Sequence, residues 1–428
     1  MKKYDTYKDC GNQWIGPVPK HWGLYSLKYY LNLQKGRKPK ELVEEGDLPY
    51  VTMDYIRSRE NKICLYPSSA EGLVPISDDD ILVLWDGANA GEIVKAKKGF
   101  LSSTMAVLDF DKKIGSHQYL FYLLKQMEPI FKTFANGTTI PHFDSSILLD
   151  YKYPLPPLSE QQAIVEFLDK KTGQIDQSIA LLETQKTDLQ AYRQALITET
   201  VTKGLNPSAP MKDSGIQWIG EIPEGWEITS LKHVTTKIGS GVTPKGGANV
   251  YTDSGILFIR SQNVYASGLK LDDVAYISKD IDDRMPNSRV QYGDVLLNIT
   301  GASIGRCATF DLKSISANVN QHVCIIRPVL EHALSKFLQY VLNSNIGQQQ
   351  IALRQTGGNR EGLNFEQLRN FTIPKISLSE QQAIVEYLDK KTSDIDAALK
   401  LINTQIADLQ AYRAALISEA VTGKIDVR

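Results

Sequence analysis

Leu158–Thr202, LSEQQAIVEFLDKKTGQIDQSIALLETQKTDLQAYRQALITETVT, returns 220 residues later as Leu378–Thr422, LSEQQAIVEYLDKKTSDIDAALKLINTQIADLQAYRAALISEAVT. Of these 45 positions, 31 are identical without a gap. A second repeat lies upstream: Lys8–Lys28, KDCGNQWIGPVPKHWGLYSLK, matches Lys212–Lys232, KDSGIQWIGEIPEGWEITSLK, at an offset of 204. Each half therefore reads as an opening segment, a variable block and a constant helix.

Several signals make the constant segment helical. Ser159 with Gln162 three residues on, after apolar Leu158, has the pattern of a capping box with its staple. Leu168, Ile175, Leu182, Leu189 and Leu196 recur every seven residues, as do Leu388, Ile395, Ile402, Leu409 and Leu416. Sustained heptads point to a coiled coil. A helix of this length runs to about 65 Å at 1.5 Å per residue, more than one small domain can cover. Each helix needs a partner for its seam, and the only comparable seam is the other helix. Chain order makes the pair antiparallel and brings the ending VTGKIDVR back to the start MKKYDTYKDC, an internal pseudo-two-fold repeat.

The expected architecture is α+β: two small globular domains, two long helices in an antiparallel coiled coil. The segments are residues 1–157, 158–210 (first helix and linker), 211–377 and 378–428 (second helix). In the blocks, DILVLWDGANAG (Asp80–Gly91) lies over DVLLNITGASIG (Asp294–Gly305), each an apolar strand followed by a glycine turn. GDLPYVTMDYIRS and GILFIRSQNV each read as a strand followed by a polar loop.

Those polar loops are basic and amide-rich. The first block offers Lys35, Arg37, Lys38 and Lys40, then Arg57, Lys97, Thr138 and His142. The second offers Ser240, Thr243, Lys245, Arg260, Gln262, Asn263, Gln321, Arg354, Asn359 and Arg360. Arg and Lys reach guanine edges and phosphates, and Asn and Gln pair with adenine, so these are the candidate DNA-binding residues.

Composition narrows the class. Apolar residues make up 42% and charged residues 23%, which argues against disorder. A net charge of -1 argues against binding nucleic acid by bulk charge, but not against local basic patches. The four cysteines are scattered without metal-ligand spacing, and no apolar run approaches the length of a membrane span, so a cytoplasmic location is expected. There is no phosphate-binding GxxxxGK[ST], the nearest string, Gly241–Gly247, ending in glycine where lysine should stand. HExxH, GxSxG and an Asn/Asp-Pro-Pro-aromatic tetrapeptide are missing too. The chain reads as a binder without catalytic residues or a metal site.

The duplicated LSEQQAIVE…LDKKT…LQAYR…ALI helices, alternating with dissimilar blocks that open on QWIG, resemble the specificity subunit of a type I restriction-modification system over nearly the whole chain. The resemblance implies that each block is a target recognition domain reading one half of an asymmetric bipartite site in double-stranded DNA. It implies that the helices space these domains and dock two methyltransferase subunits, with restriction (translocase) subunits joining that core. It also implies that S-adenosylmethionine, ATP and Mg belong to the partner subunits and that this chain holds no cofactor. Recognition loops diverge most in that family, so no base-contacting residue carries over by motif. The alternative on residues alone is a coiled-coil scaffold whose blocks bind proteins.

Overall fold

The computed structural model describes residues 2–58, 64–111, 113–135, 141–354 and 362–428. Two compact units emerge, residues 1–182 with 403–428, and residues 183–402. Each unit holds one globular block and half of each long helix, because the helix halves share a core with the block.

The strand Ile81–Leu84 is apolar throughout, and Val295–Asn298 is apolar up to its last residue, because both faces are buried. In the first, Ile81 and Val83 face the main core while Leu82 and Leu84 face a second cluster. In the other unit Val295 and Leu297 divide from Leu296 in the same way. A strand buried on both faces loses its polar alternation, which explains the continuous runs.

The larger sheets repeat strand for strand. In the first unit a four-stranded antiparallel sheet runs in the order Ile93–Lys95, Ile81–Leu84, Met105–Phe110, Leu31–Lys35. In the second unit the order is Cys307–Thr309, Val295–Asn298, Val323–Pro328, Thr235–Ser240. The smaller sheet of the first unit has Gly99–Leu101 parallel to Tyr50–Val51 and antiparallel to Pro75–Ile76. Its counterpart has Ala317–Val319 parallel to Ile256–Ile259 and antiparallel to Arg289–Val290, and gains an outer strand, Ala275–Ile277. The strand read in GDLPYVTMDYIRS is short. It stops at Val51 because Thr52 caps a helical turn, Met53–Arg57, its hydroxyl accepting from the Tyr55 amide.

The long helices are Leu158–Lys203 and Leu378–Val421. They begin one residue before the capping box read from the sequence, so Ser159 and Ser379 lie inside the first turn. Gln162 instead reaches Glu166, and Ser377 Oγ accepts from the Glu380 amide. In the first unit Leu168 and Ile175 share a core with Leu416, with Leu409 packed against it. In the second unit Leu196 shares one with Leu388 and Ile395, with Leu189 packed against it. Ile402 is buried and Leu182 half-buried. Asp176 pairs with Arg413 at 2.9 Å, and its repeat image, Asp396 with Arg193, pairs at 3.2 Å. Numbers climb on one helix as they fall on the other, so the pairing within each unit is antiparallel.

Identical residues of the repeat are largely those that fasten helix to block. Trp22 Nε1 donates to Glu160 at 3.0 Å, and Trp226 Nε1 to Glu380 at 3.1 Å. The Gln161 amide donates to the Ile114 and Pro156 carbonyls, and that of Gln381 to those of His332 and Ile376. Tyr122 and Tyr340 each donate to an aspartate of the helix, Asp169 and Asp389, at 2.6 Å. At the chain ends, the Asp426 amide donates to the Lys2 carbonyl and Arg428 lies over the Tyr4 ring.

Candidate nucleic-acid interface

In each unit three loops leave strand ends of the two sheets. The first leaves the edge strand of the larger sheet. Gly36 donates its amide to the Met105 carbonyl and Gly241 to that of Val323, the same station in both sheets. Neither can carry a side chain: a Cβ would stand 2.2 Å from the Ser102 carbonyl oxygen at Gly36, and 1.7 Å from that of Val319 at Gly241. Close backbone approach requires glycine here. Three residues on, Pro39 and Pro244 are buried, and Lys40 and Lys245 follow, exposed. Two stretches with little identity thus share a Gly-x-x-Pro-Lys frame.

The second loop follows the strands ending at Val51 and Ile259, and the third is the glycine turn, 86–91 and 300–305. In the first unit Arg57 of the second loop pairs with Glu92 at 2.6 Å, at the exit of the third. In the second unit Asn298, at the end of the strand entering the third loop, donates to the Ser261 carbonyl of the second at 2.8 Å.

Around this frame the candidates divide. Lys35 and His142 converge on Asp86, at 2.8 and 2.6 Å, with Lys35 also over the Trp85 ring. Burial pushes the Asp86 carboxyl up, but the bonds from Lys35 and His142 outweigh it and hold it below its ordinary value. Lys38 and Lys40 line one cleft with Tyr50 and Ser103, and Arg37 is exposed beside them. Lys97 is spent on the fold, its ammonium donating to the Tyr55 and Ser58 carbonyls.

In the second unit a cleft of about 540 Å³ is lined by Gln262, Tyr265, Thr300, Arg306 and His322, among others. Gln262 is held by Asp273 at 2.8 Å, His322 Nδ1 lies 2.5 Å from Thr300 Oγ1, and Gln321 reaches the other His322 nitrogen at 3.4 Å. Arg306 is exposed and lies 4.8 Å from the Tyr265 ring centroid. Asn263 is committed to its own turn, donating to the Lys270 and Asp273 carbonyls and accepting from the Arg260 amide. Arg260 binds the Asp273 carbonyl and lies against Tyr251. Ser240 is half-buried and bonds the Gly241 carbonyl, while Thr243 is half-buried. Arg354 donates to the Gln350 carbonyl over the Phe371 ring, and burial lowers its pKa. Thr138, Asn359 and Arg360 lie outside the described residues.

Arg306 and Tyr265 escaped the sequence reading. Laying the glycine turns over each other one residue further sets Glu92 against Arg306, opposite charges at one scaffold position, and that signal would have found the arginine. Chemically the surface offers ammonium, guanidinium, amide and hydroxyl donors. Among the described residues no group of His, Cys, Asp and Glu could hold a metal ion. Cys307 and Cys324 are buried thiols, the latter pushed up to about 12 by desolvation. No helix among the described residues is long and apolar enough to cross a membrane.

A doubled scaffold presenting two sets of polar donors on loops defines a binding protein with two related readers. The chain matches the type I restriction modification DNA specificity domain over residues 19–190 and 223–409. It is 30% identical over 417 residues to the type I restriction enzyme MjaVIII specificity subunit of Methanocaldococcus jannaschii, covering 96% of this chain and 94% of that one. The EcoBI specificity subunit of Escherichia coli is 26% identical over 354 residues, covering 81% and 74%. A chain solved in a study of assembly and conformational transition of the type I R-M system superimposes with a TM-score of 0.72 at 18% identity, over 95% of this chain and 99% of that chain. This chain belongs to the type I restriction-modification specificity subunit family.

Proposed function

We propose that each unit reads one half of an asymmetric bipartite DNA site, and that the chain works as the recognition subunit of a larger complex. Two methyltransferase subunits dock on the helices and bring S-adenosylmethionine; restriction subunits bring ATP and Mg. The observation that carries this reading is one loop frame built twice with different side chains. Lys35, Arg37, Lys38, Asp86 and Glu92 stand where the second unit has Ser240, Val242, Thr243, Thr300 and Arg306. A common scaffold with exchanged donors and acceptors is what reading two different sequences requires, since base edges differ in their donor and acceptor pattern.

The purified chain, given S-adenosylmethionine, ATP and Mg, is expected neither to methylate nor to cleave DNA, and adding a methyltransferase subunit is expected to confer methylation at one motif. Methyl transfer by the chain alone would overturn the assignment of chemistry to partners.

A further inference from the structure

Amid loops that differ between the units, one charged residue is constant. Lys40 and Lys245 each follow a glycine pressed against a strand-end carbonyl and a buried proline, so their Cα positions are fixed by backbone packing. The residues between, Arg37 and Lys38 in one unit and Val242 and Thr243 in the other, share no chemistry. Of the neighbouring cations in the first unit, Lys35 is held by Asp86, Arg57 by Glu92 and Lys97 by carbonyls, while Arg37 and Lys38 are exposed but have no cation at the matching positions of the second unit. Lys40 and Lys245 are exposed and make no ion pair among the described residues.

Two half-sites that differ in bases still share one feature, the phosphate backbone. A residue kept at one scaffold position in both readers therefore answers to that shared feature, and an ammonium on a flexible stem suits a phosphate as a point charge. We infer that Lys40 and Lys245 are paired phosphate anchors that set the register of each unit on the duplex, leaving base choice to the loop residues around them. This deepens the DNA-reading assignment and rests on it.

The test uses the complex with methyltransferase subunits and a duplex carrying its methylated motif. Affinity is measured between 50 and 200 mM salt for the wild type, K40A, K245A and the charge-keeping K40R and K245R. Each alanine variant binds more weakly, and its log affinity against log salt is shallower by about 0.9, so that its affinity falls about 3.5-fold less over that range. The arginine variants keep the wild-type slope, and the methylated motif is the same for all. An unchanged slope in the alanine variants, or an altered base in either half-site, would overturn the anchor role. Failure of the wild-type complex to prefer its motif over unrelated duplex at any salt would instead overturn the DNA-reading assignment, and the anchors with it.

Discussion

Asn263 and Gln262 are adjacent amides with opposite commitments. Asn263 is buried and makes three hydrogen bonds inside its turn, whereas Gln262 is exposed on the cleft rim. Asn263→Ala is expected to cost about 2 kcal/mol, since it removes the three hydrogen bonds that a buried side chain makes to its turn, while Gln262→Ala stays within about 0.5 kcal/mol. Thermal unfolding of the two variants checks this. Arg306→Ala, at the mouth of the same cleft, should relax the base preference of one half-site by about 1–3 kcal/mol if the fork meets guanine, measured as competition between duplexes. Glu160 carries a pH signature. Burial raises its pKa, but hydrogen bonds from Tyr4, His21 and Trp22 outweigh this and hold it below the ordinary value. A depressed carboxylate pKa contributes stability that is full above the unfolded value, about 4.3, and is lost as pH falls through the folded value. Glu160→Gln should therefore lower the unfolding temperature at pH 7 and narrow the gap from wild type near pH 3.5; an equal deficit at both pH values would contradict it. Residue type alone announced that these loops were polar, but not which way each side chain turned. Asn263 and Lys97 look like readers in sequence and serve the fold, because donors beside a tight turn are captured by its carbonyls.

Heptad spacing made the long helices legible, since a seam of this length has no cover except another helix. The helix starts were less so. Ser159 satisfies the capping pattern, yet the Pro157 carbonyl already accepts the first helical bond, from the Glu160 amide at 2.9 Å. The helices also explain where a change of length can be tolerated. Thr198 lies past the last heptad leucine, but its hydroxyl accepts from the Asn345 amide, and its neighbours Ile197 and Val201 are buried. The exposed stretch after Glu183 is the better place for an insertion. Four residues add about 6 Å of rise and a net turn of about 40°, close to the roughly 34° of one base pair in B-DNA. That variant is expected to methylate the same two half-sites with a spacer one base pair longer, and a two-residue insertion, turning about 200°, to lose activity. An unchanged spacer with full activity would show that this helix does not set the distance.

At the level of the whole chain, duplication is what makes the candidate site readable. Within the blocks, sequence alone aligned little beyond the glycine turns, because few identities remain in the loops between the strands. With the strands in place, Gly36 and Gly241, Pro39 and Pro244, and Lys40 and Lys245 fall into register, and the differences around them stand out. If the two units read separately, one half-site can be exchanged without the other, and the genome-wide methylated motif shows this in cells expressing the methyltransferase subunit with either the wild-type chain or one whose 242–243 and 300–306 loops are taken from another member of the family. The exchanged chain should methylate a motif that keeps one half-site and the spacer and changes only the other half. A motif altered in both halves, or in neither, would contradict the two-reader account.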